Sequence, residues 1–102
     1  MKGGMLMKSS EKYANGQIHQ SQRGSIVTQF YKEGIIKAQG PVKENLMDGL
    51  WHFYRENGMV REAGTFKKGL KHGPWVVYDK SGAIESEILF EEGVETSKRL
   101  YH

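Results

Sequence analysis

The chain repeats itself every 24 residues, and no other property limits its fold so tightly. Gly49-Leu50-Trp51-His52-Phe53-Tyr54-Arg55-Glu56-Asn57-Gly58 aligns without a gap on Gly73-Pro74-Trp75-Val76-Val77-Tyr78-Asp79-Lys80-Ser81-Gly82, sharing Gly, Trp, Tyr and Gly. At the same offset Phe66 falls on Phe90 and Gly69 on Gly93. One unit earlier, Phe30 falls on Tyr54, Gly34 on Gly58, Gly40 on Gly64 and Val42 on Phe66. A repeat of this length is one supersecondary unit that buries its apolar face only by stacking on its neighbours. Two clear copies occupy 49–72 and 73–96, and a weaker one 25–48, with Ser25 and Val27 in place of Gly and Trp. A partial unit covers 97–102, where Arg99 stands at the Trp position, and 1–24 reads as an irregular or degenerate cap. Before residue 25, either Gly16 continues the register of Gly40, or Asn15-Gly16 is a hairpin turn in its own right. Met5–Ala14 is either a short helix or a ragged strand. The whole chain, 1–102, is expected to be a single domain.

Within a unit the residues call for a β-hairpin. Glu56-Asn57-Gly58 and Lys80-Ser81-Gly82 are turn sequences, in which glycine accepts a positive φ at little steric cost. The flanking runs are rich in aromatic and β-branched residues, as strands are. The spacing predicts first strands at Leu50–Arg55 and Trp75–Asp79, and second strands at Met59–Lys67 and Ala83–Phe90. Lys67–Gly73 and Glu44–Gly49 are expected to be connecting loops. No segment carries helical periodicity over the length that a helix needs.

Alternation sorts the second strands into two faces. Ile36, Ala38, Gly40, Val42, Val60, Glu62, Gly64, Phe66, Ile84, Ser86, Ile88 and Phe90 share the more apolar one. Arg61, on the other, is expected to pair with Glu85 or Glu87 of the next unit. The mid-strand glycines 40 and 64 leave gaps over which a neighbouring aromatic ring fits. Trp and Tyr three apart cannot share a face of a regular strand, so one faces outward or the strand carries a bulge. The fold class is therefore all-β: a single-layer, twisted antiparallel sheet of stacked 24-residue hairpins. A sheet that stops after Phe90 leaves an open edge unless the tail covers it, and open edges invite a homodimer or an added partner strand.

The segment Gly49–Gly58, followed by Arg61-Glu62-Ala63-Gly64-Thr65-Phe66-Lys67-Lys68-Gly69-Leu70-Lys71-His72-Gly73, resembles the MORN repeat (membrane occupation and recognition nexus). It is closest to the bacterial variant whose members are often labelled antitoxins. The resemblance is good over residues 45–93 and fair over 25–44, and it does not extend over 1–24. It implies stacked antiparallel hairpins with a groove lined by Trp, Tyr and Phe, used for binding and not for catalysis. Ser25, Val27, Ile88 (in place of the mid-strand glycine) and Arg99 depart from the pattern.

Chemistry narrows the functional classes further. The chain has no cysteine, so disulfides, thiolate metal sites and a cysteine nucleophile are excluded. His19, His52, His72 and His102 are too scattered for a ligand motif, and neither a nucleophile elbow nor a phosphate-binding glycine loop is present. No enzyme, metal or cofactor is expected. No apolar run approaches the roughly 20 residues of a membrane helix, and the N-terminus is too weakly apolar for a signal peptide, so a cytoplasmic protein is the default. The net charge of +3 resides in residues 1–51, while residues 52–102 balance eight basic against eight acidic side chains. That mixture is too dilute for strong non-specific nucleic-acid binding.

A binding module remains. Trp51, Phe53, Tyr54, Trp75 and Tyr78 are the candidate recognition stripe, or alternatively the filling of a thin sheet. Lys67, Lys68 and Lys71 are either a basic contact for an acidic partner or a solvated turn. The leading expectation is an antitoxin, immunity protein or small inhibitor that binds and neutralises a protein partner such as a toxin or other enzyme. The alternatives are a scaffold or assembly module, or a peripheral lipid or nucleic-acid binder.

Overall fold

The computed structural model describes residues 19–101, and Met5–Ala14 and Asn15-Gly16 lie outside them. Nine strands form among the described residues: β1 Gln20–Arg23, β2 Ile26–Phe30, β3 Ile36–Lys43, β4 Leu46–Met47, β5 Gly49–Tyr54, β6 Val60–Lys67, β7 Leu70–Tyr78, β8 Ile84–Glu91 and β9 Val94–Leu100. They make one antiparallel sheet in the order β1-β2-β3-β5-β6-β7-β8-β9, with the short β4 paired to β3. Strand order follows chain order throughout. This is the open, all-β hairpin array that the period demanded, with extents of 41 × 32 × 19 Å.

The hairpin turns repeat bond for bond. Tyr31 N donates to Ile35 O at 2.8 Å, Arg55 N to Met59 O at 2.7 Å and Asp79 N to Ala83 O at 2.8 Å. Gly34, Gly58 and Gly82 close these turns at φ of 94°, 91° and 94°. Side chains with a Cβ are strained there, which fixes glycine at the 24-residue interval.

The connections between units are tighter than the sequence suggested. Lys67 pairs with Leu70 across a two-residue turn, Lys68-Gly69, with both φ values positive (52° and 86°). Lys43 and Leu46 flank Glu44-Asn45, and Glu91 and Val94 flank Glu92-Gly93, in the same way. Positive φ at both central residues matches the twist of the flanking strands, as in type I′ hairpins. The expected loop at Lys67–Gly73 is therefore mostly strand, since β7 begins at Leu70 instead of Trp75. In the expected Glu44–Gly49 loop only Glu44, Asn45 and Asp48 lie outside strands. Units also lock to one another, through Gly69 N to Met47 O and Gly93 N to Lys71 O, each at 2.8 Å.

Two further expectations are corrected. Arg61 does not reach Glu85 or Glu87, because β7 runs between β6 and β8; its guanidinium pairs with Glu62 at 3.2 Å. The chain after Phe90 is not a fragment. Every residue of β9 except the bulged Thr96 pairs with β8, so β9 itself is the edge strand at this end of the sheet.

Of the two outcomes expected from the Trp–Tyr spacing, the outward-facing tyrosine holds: β5 and β7 gain no residue between Trp and Tyr, and the register shifts opposite Tyr54 and Tyr78 are bulges of the partner strands, at Arg61 of β6 and Glu85 of β8. A second bulge, between Gly64 and Thr65 of β6, passes over Gly73 and Pro74 of β7, so that Trp75 lies opposite Gly64. In the last pair the bulge is one residue shorter. Lys98, and not Arg99, takes the position opposite Ile88, and Arg99 pairs with Glu87. With neither a tryptophan to seat nor a glycine beneath it, the larger bulge has no function in this unit.

Candidate functional site

One face of the sheet is an aromatic ladder built from the repeat. Trp51 and Trp75 are 0% and 1% exposed, and they form the core with Val27, Ala38, Val42 and Phe66. Each indole lies flat over the glycine of a neighbouring strand, Trp51 over Gly40 and Trp75 over Gly64, where any Cβ would overlap the ring. Each indole N–H is also satisfied by the residue after that glycine: Trp51 Nε1 donates to Pro41 O at 2.7 Å and Trp75 Nε1 to Thr65 O at 3.0 Å. A buried indole needs such a partner. Around them the rings meet edge to face, with centroids 5.1 Å apart for Phe66–Trp75, 6.1 Å for Trp75–Phe90 and 6.2 Å for Trp51–Phe66. Phe53 joins the ladder at 6.2 Å from Trp51 and 5.9 Å from Trp75.

The candidate residues therefore separate by role. Trp51 and Trp75 are interior filling, inaccessible to any partner while the sheet is intact. Phe53 is half-buried against them. Tyr54 and Tyr78 are half-buried and take part in links between units: Tyr31 Oη donates to Tyr54 O at 2.7 Å, and one repeat on Arg55 Nη2 donates to Tyr78 O at 2.9 Å. The ring of Tyr54 stacks on His52 at 6.3 Å.

The three lysines are divided between the two faces. Lys71 lies opposite Phe66, with its ammonium 4.5 Å from the Trp75 ring centroid and 4.9 Å from that of Phe90, a cation–π position on the aromatic face. Lys67 and Lys68 line open depressions on the other face, one shared with Leu70, His72 and Glu92 and one with Lys43, Glu44, Leu46 and Asp48. Asp48 Oδ1 accepts from the Lys68 backbone N–H at 3.1 Å, which ties this turn to the preceding unit. Proximity in sequence had grouped the lysines, but strand alternation separates them.

That other face holds what the sequence reading missed. Ile26, Leu50, Leu70 and Leu89 stand on it at 41%, 54%, 50% and 47% exposure, with Pro74 directly across from Leu89. A signal for them existed. Ile26, Leu50 and Pro74 recur at the position before the Trp site, and Leu46, Leu70 and Val94 recur after the two-residue turns, both at the 24-residue interval. Among the described residues no cluster of His, Asp or Glu suits a metal ion, and no helix is long and apolar enough to cross a membrane.

A turn glycine and an indole seated over the mid-strand glycine of the preceding unit occur together in the two central units. Residues 47–68 and 71–92 match the MORN repeat variant. The two matched segments are themselves 24 residues apart; the first holds the hairpin of β5 with β6, and the second that of β7 with β8 except for Leu70. MORN repeats are in general binding modules and not catalysts, often associated with membranes. No curated protein and no solved structure matches the chain.

Proposed function

We propose that this chain is a non-catalytic protein-binding module that inhibits a partner protein, in the manner of an antitoxin or immunity protein. The observation that carries the reading is the exposed apolar row of Ile26, Leu50, Leu70 and Leu89 on the sheet face opposite the tryptophans. A sheet one layer thick buries its aromatic side chains on one face and still presents large aliphatic side chains on the other. Around that row stand Lys67, Lys68, His72, Glu87 and Arg99. An apolar centre with a charged rim is the anatomy of a protein interface. The mixed signs of the rim support a protein surface as the partner over a uniformly anionic one.

The test uses the tagged full chain and a Leu50→Glu/Leu70→Glu variant in pull-downs from the native host, followed by an activity assay on the recovered protein. One protein at one-to-one stoichiometry is expected, with its activity suppressed by the chain. The double variant should bind more weakly by about 2–4 kcal/mol, the scale of interface anchors. Its melting should be unchanged, because both side chains are half in solvent. Replacing Lys67 and Lys68 with alanine should act mainly on the association rate and its salt dependence. Recovery of lipid or nucleic acid without a stoichiometric protein would overturn the proposal. A one-to-one partner whose activity is unaffected would make the chain a scaffold.

A further inference from the structure

We infer that the β9 edge is a self-association surface, which joins two copies of the chain by antiparallel pairing of β9 with β9 about Ser97. All seven residues of β9 are exposed, and its outer side faces no other strand among the described residues. Tyr101 N donates to Glu85 O at 2.9 Å, so the alternation of an antiparallel pair turns the backbone groups of Leu100 and Lys98 outward. These groups form an unpaired row of the kind that adds a further strand.

The side chains select the strand that is added. Glu95 lies toward the start of β9, just after Glu92 of the turn, and Lys98 and Arg99 lie toward its end, with Ser97 between. Most foreign strands would leave these charges facing unsuitable neighbours, which is how exposed edges are ordinarily kept apart. An antiparallel second copy instead places the acidic end of one strand against the basic end of the other. The bulge sharpens the match. Because Thr96 is the extra residue, Glu95 lies opposite Phe90 while Lys98 lies opposite Ile88, and both of those partners pack on the aromatic core. Glu95 and Lys98 therefore share a face, and a two-fold axis through Ser97 brings Glu95 of one copy beside Lys98 of the other. Opposite charges across such a pair stabilise it, whereas parallel pairing would set like charges against each other. Among the described residues neither Glu95 nor Lys98 has an ion-pair partner within the chain. The inference does not depend on the inhibitor proposal, since it concerns the purified chain alone.

The chain has no native cysteine, so Ser97→Cys is a direct probe of the axis. Facing residues of an antiparallel pair are about 4.5–5.5 Å apart at Cα, within the span of a disulfide. Under mild oxidation Ser97→Cys should form a covalent dimer at least about tenfold faster than Ser81→Cys in an exposed turn, because pairing raises the local thiol concentration. By light scattering, the unmodified chain should be a dimer at high concentration, and the Lys98→Glu/Arg99→Glu variant a monomer. Mixing that variant with Glu92→Lys/Glu95→Lys should restore dimers through the exchanged charges. Equal oxidation rates for the two cysteine variants would overturn the inference. So would a monomer at all concentrations whose β9 amides are protected from exchange, since the edge would then be covered by the chain itself. A dimer that survives the charge reversal would place the interface elsewhere and overturn it as well.

Discussion

Substituting Gly64 with alanine tests whether the indole seated on a bare strand organises the core. The added methyl would overlap Cδ2, Cε2 and Cγ of Trp75, far inside the roughly 3.5–4.0 Å at which carbon atoms rest. Two responses are open to the protein. If Trp75 leaves its seat, it forfeits the hydrogen bond to Thr65 O and its packing on Phe66 and Phe90. The upper limit of that loss is set by aromatic-to-alanine substitutions, about 3–5 kcal/mol. If the strands part instead, the cost is that of overpacking, about 1–3 kcal/mol. The cheaper route prevails, so the expected loss is about 2–3 kcal/mol. In a domain of this size that lowers Tm by about 10–20 °C.

The clash can be isolated by repeating the substitution in a Trp75→Leu background, with thermal unfolding followed by far-ultraviolet circular dichroism. There the seat is empty, and alanine should stabilise by up to about 1 kcal/mol, because glycine inside a strand carries an entropic penalty. The effect should thus change sign between the two backgrounds, a coupling expected only of residues in contact. An equal loss in both would refute the seating argument. A single variant melting within about 2 °C of the parent would do the same, since that corresponds to well under 1 kcal/mol.

Gly58→Val should destabilise by at least about 1 kcal/mol through backbone strain at positive φ. No atom lies within 4 Å of the new Cβ, so Gly58→Asn, which tolerates that region, should recover most of the loss in urea unfolding. Tyr31→Phe and Arg55→Ala each remove a donor to the carbonyl of Tyr54 or Tyr78 and should cost about 1 kcal/mol apiece. Hydrogen exchange should then rise around that carbonyl, and identical exchange would mean that the links carry no strain between units. Hydrogen bonds from the Ser81 hydroxyl and the Ala83 backbone N–H lower the pKa of Asp79 from its ordinary 3.8. A depressed carboxylate pKa favours the fold above the unfolded value, and the contribution disappears as pH falls from near 3.8 through the lower folded value. Asp79→Asn should therefore flatten the acid side of a Tm-against-pH profile while leaving its shape near neutrality, and an unchanged acid limb would contradict this.

The sequence by itself determined the repeat, and through the repeat the class of fold. Gly34, Gly58 and Gly82 announce their turns because few other residues take a positive φ cheaply, a local constraint that needs no knowledge of distant contacts. The pairing of Gly40 with Trp51 and of Gly64 with Trp75 was legible in part, since a bare glycine in a strand leaves room for a ring. Which ring fills it, and that the next carbonyl takes the indole N–H, depends on a bulge created by the register of two strands. Sequence proximity also misgrouped Lys67, Lys68 and Lys71, because direction along a strand follows the pleat, and the tight turn at Lys68-Gly69 sets where that pleat begins. The repeat offset points Arg61 to a partner one unit away, but the intervening β7 occupies the space between them. Tertiary structure alone decided that Trp51 and Trp75 are interior while Leu50 and Leu70 face solvent. Hydrophobicity ranks these residues alike, but a single-layer sheet has one aromatic face to bury, and the flat indoles that cover the glycines take it.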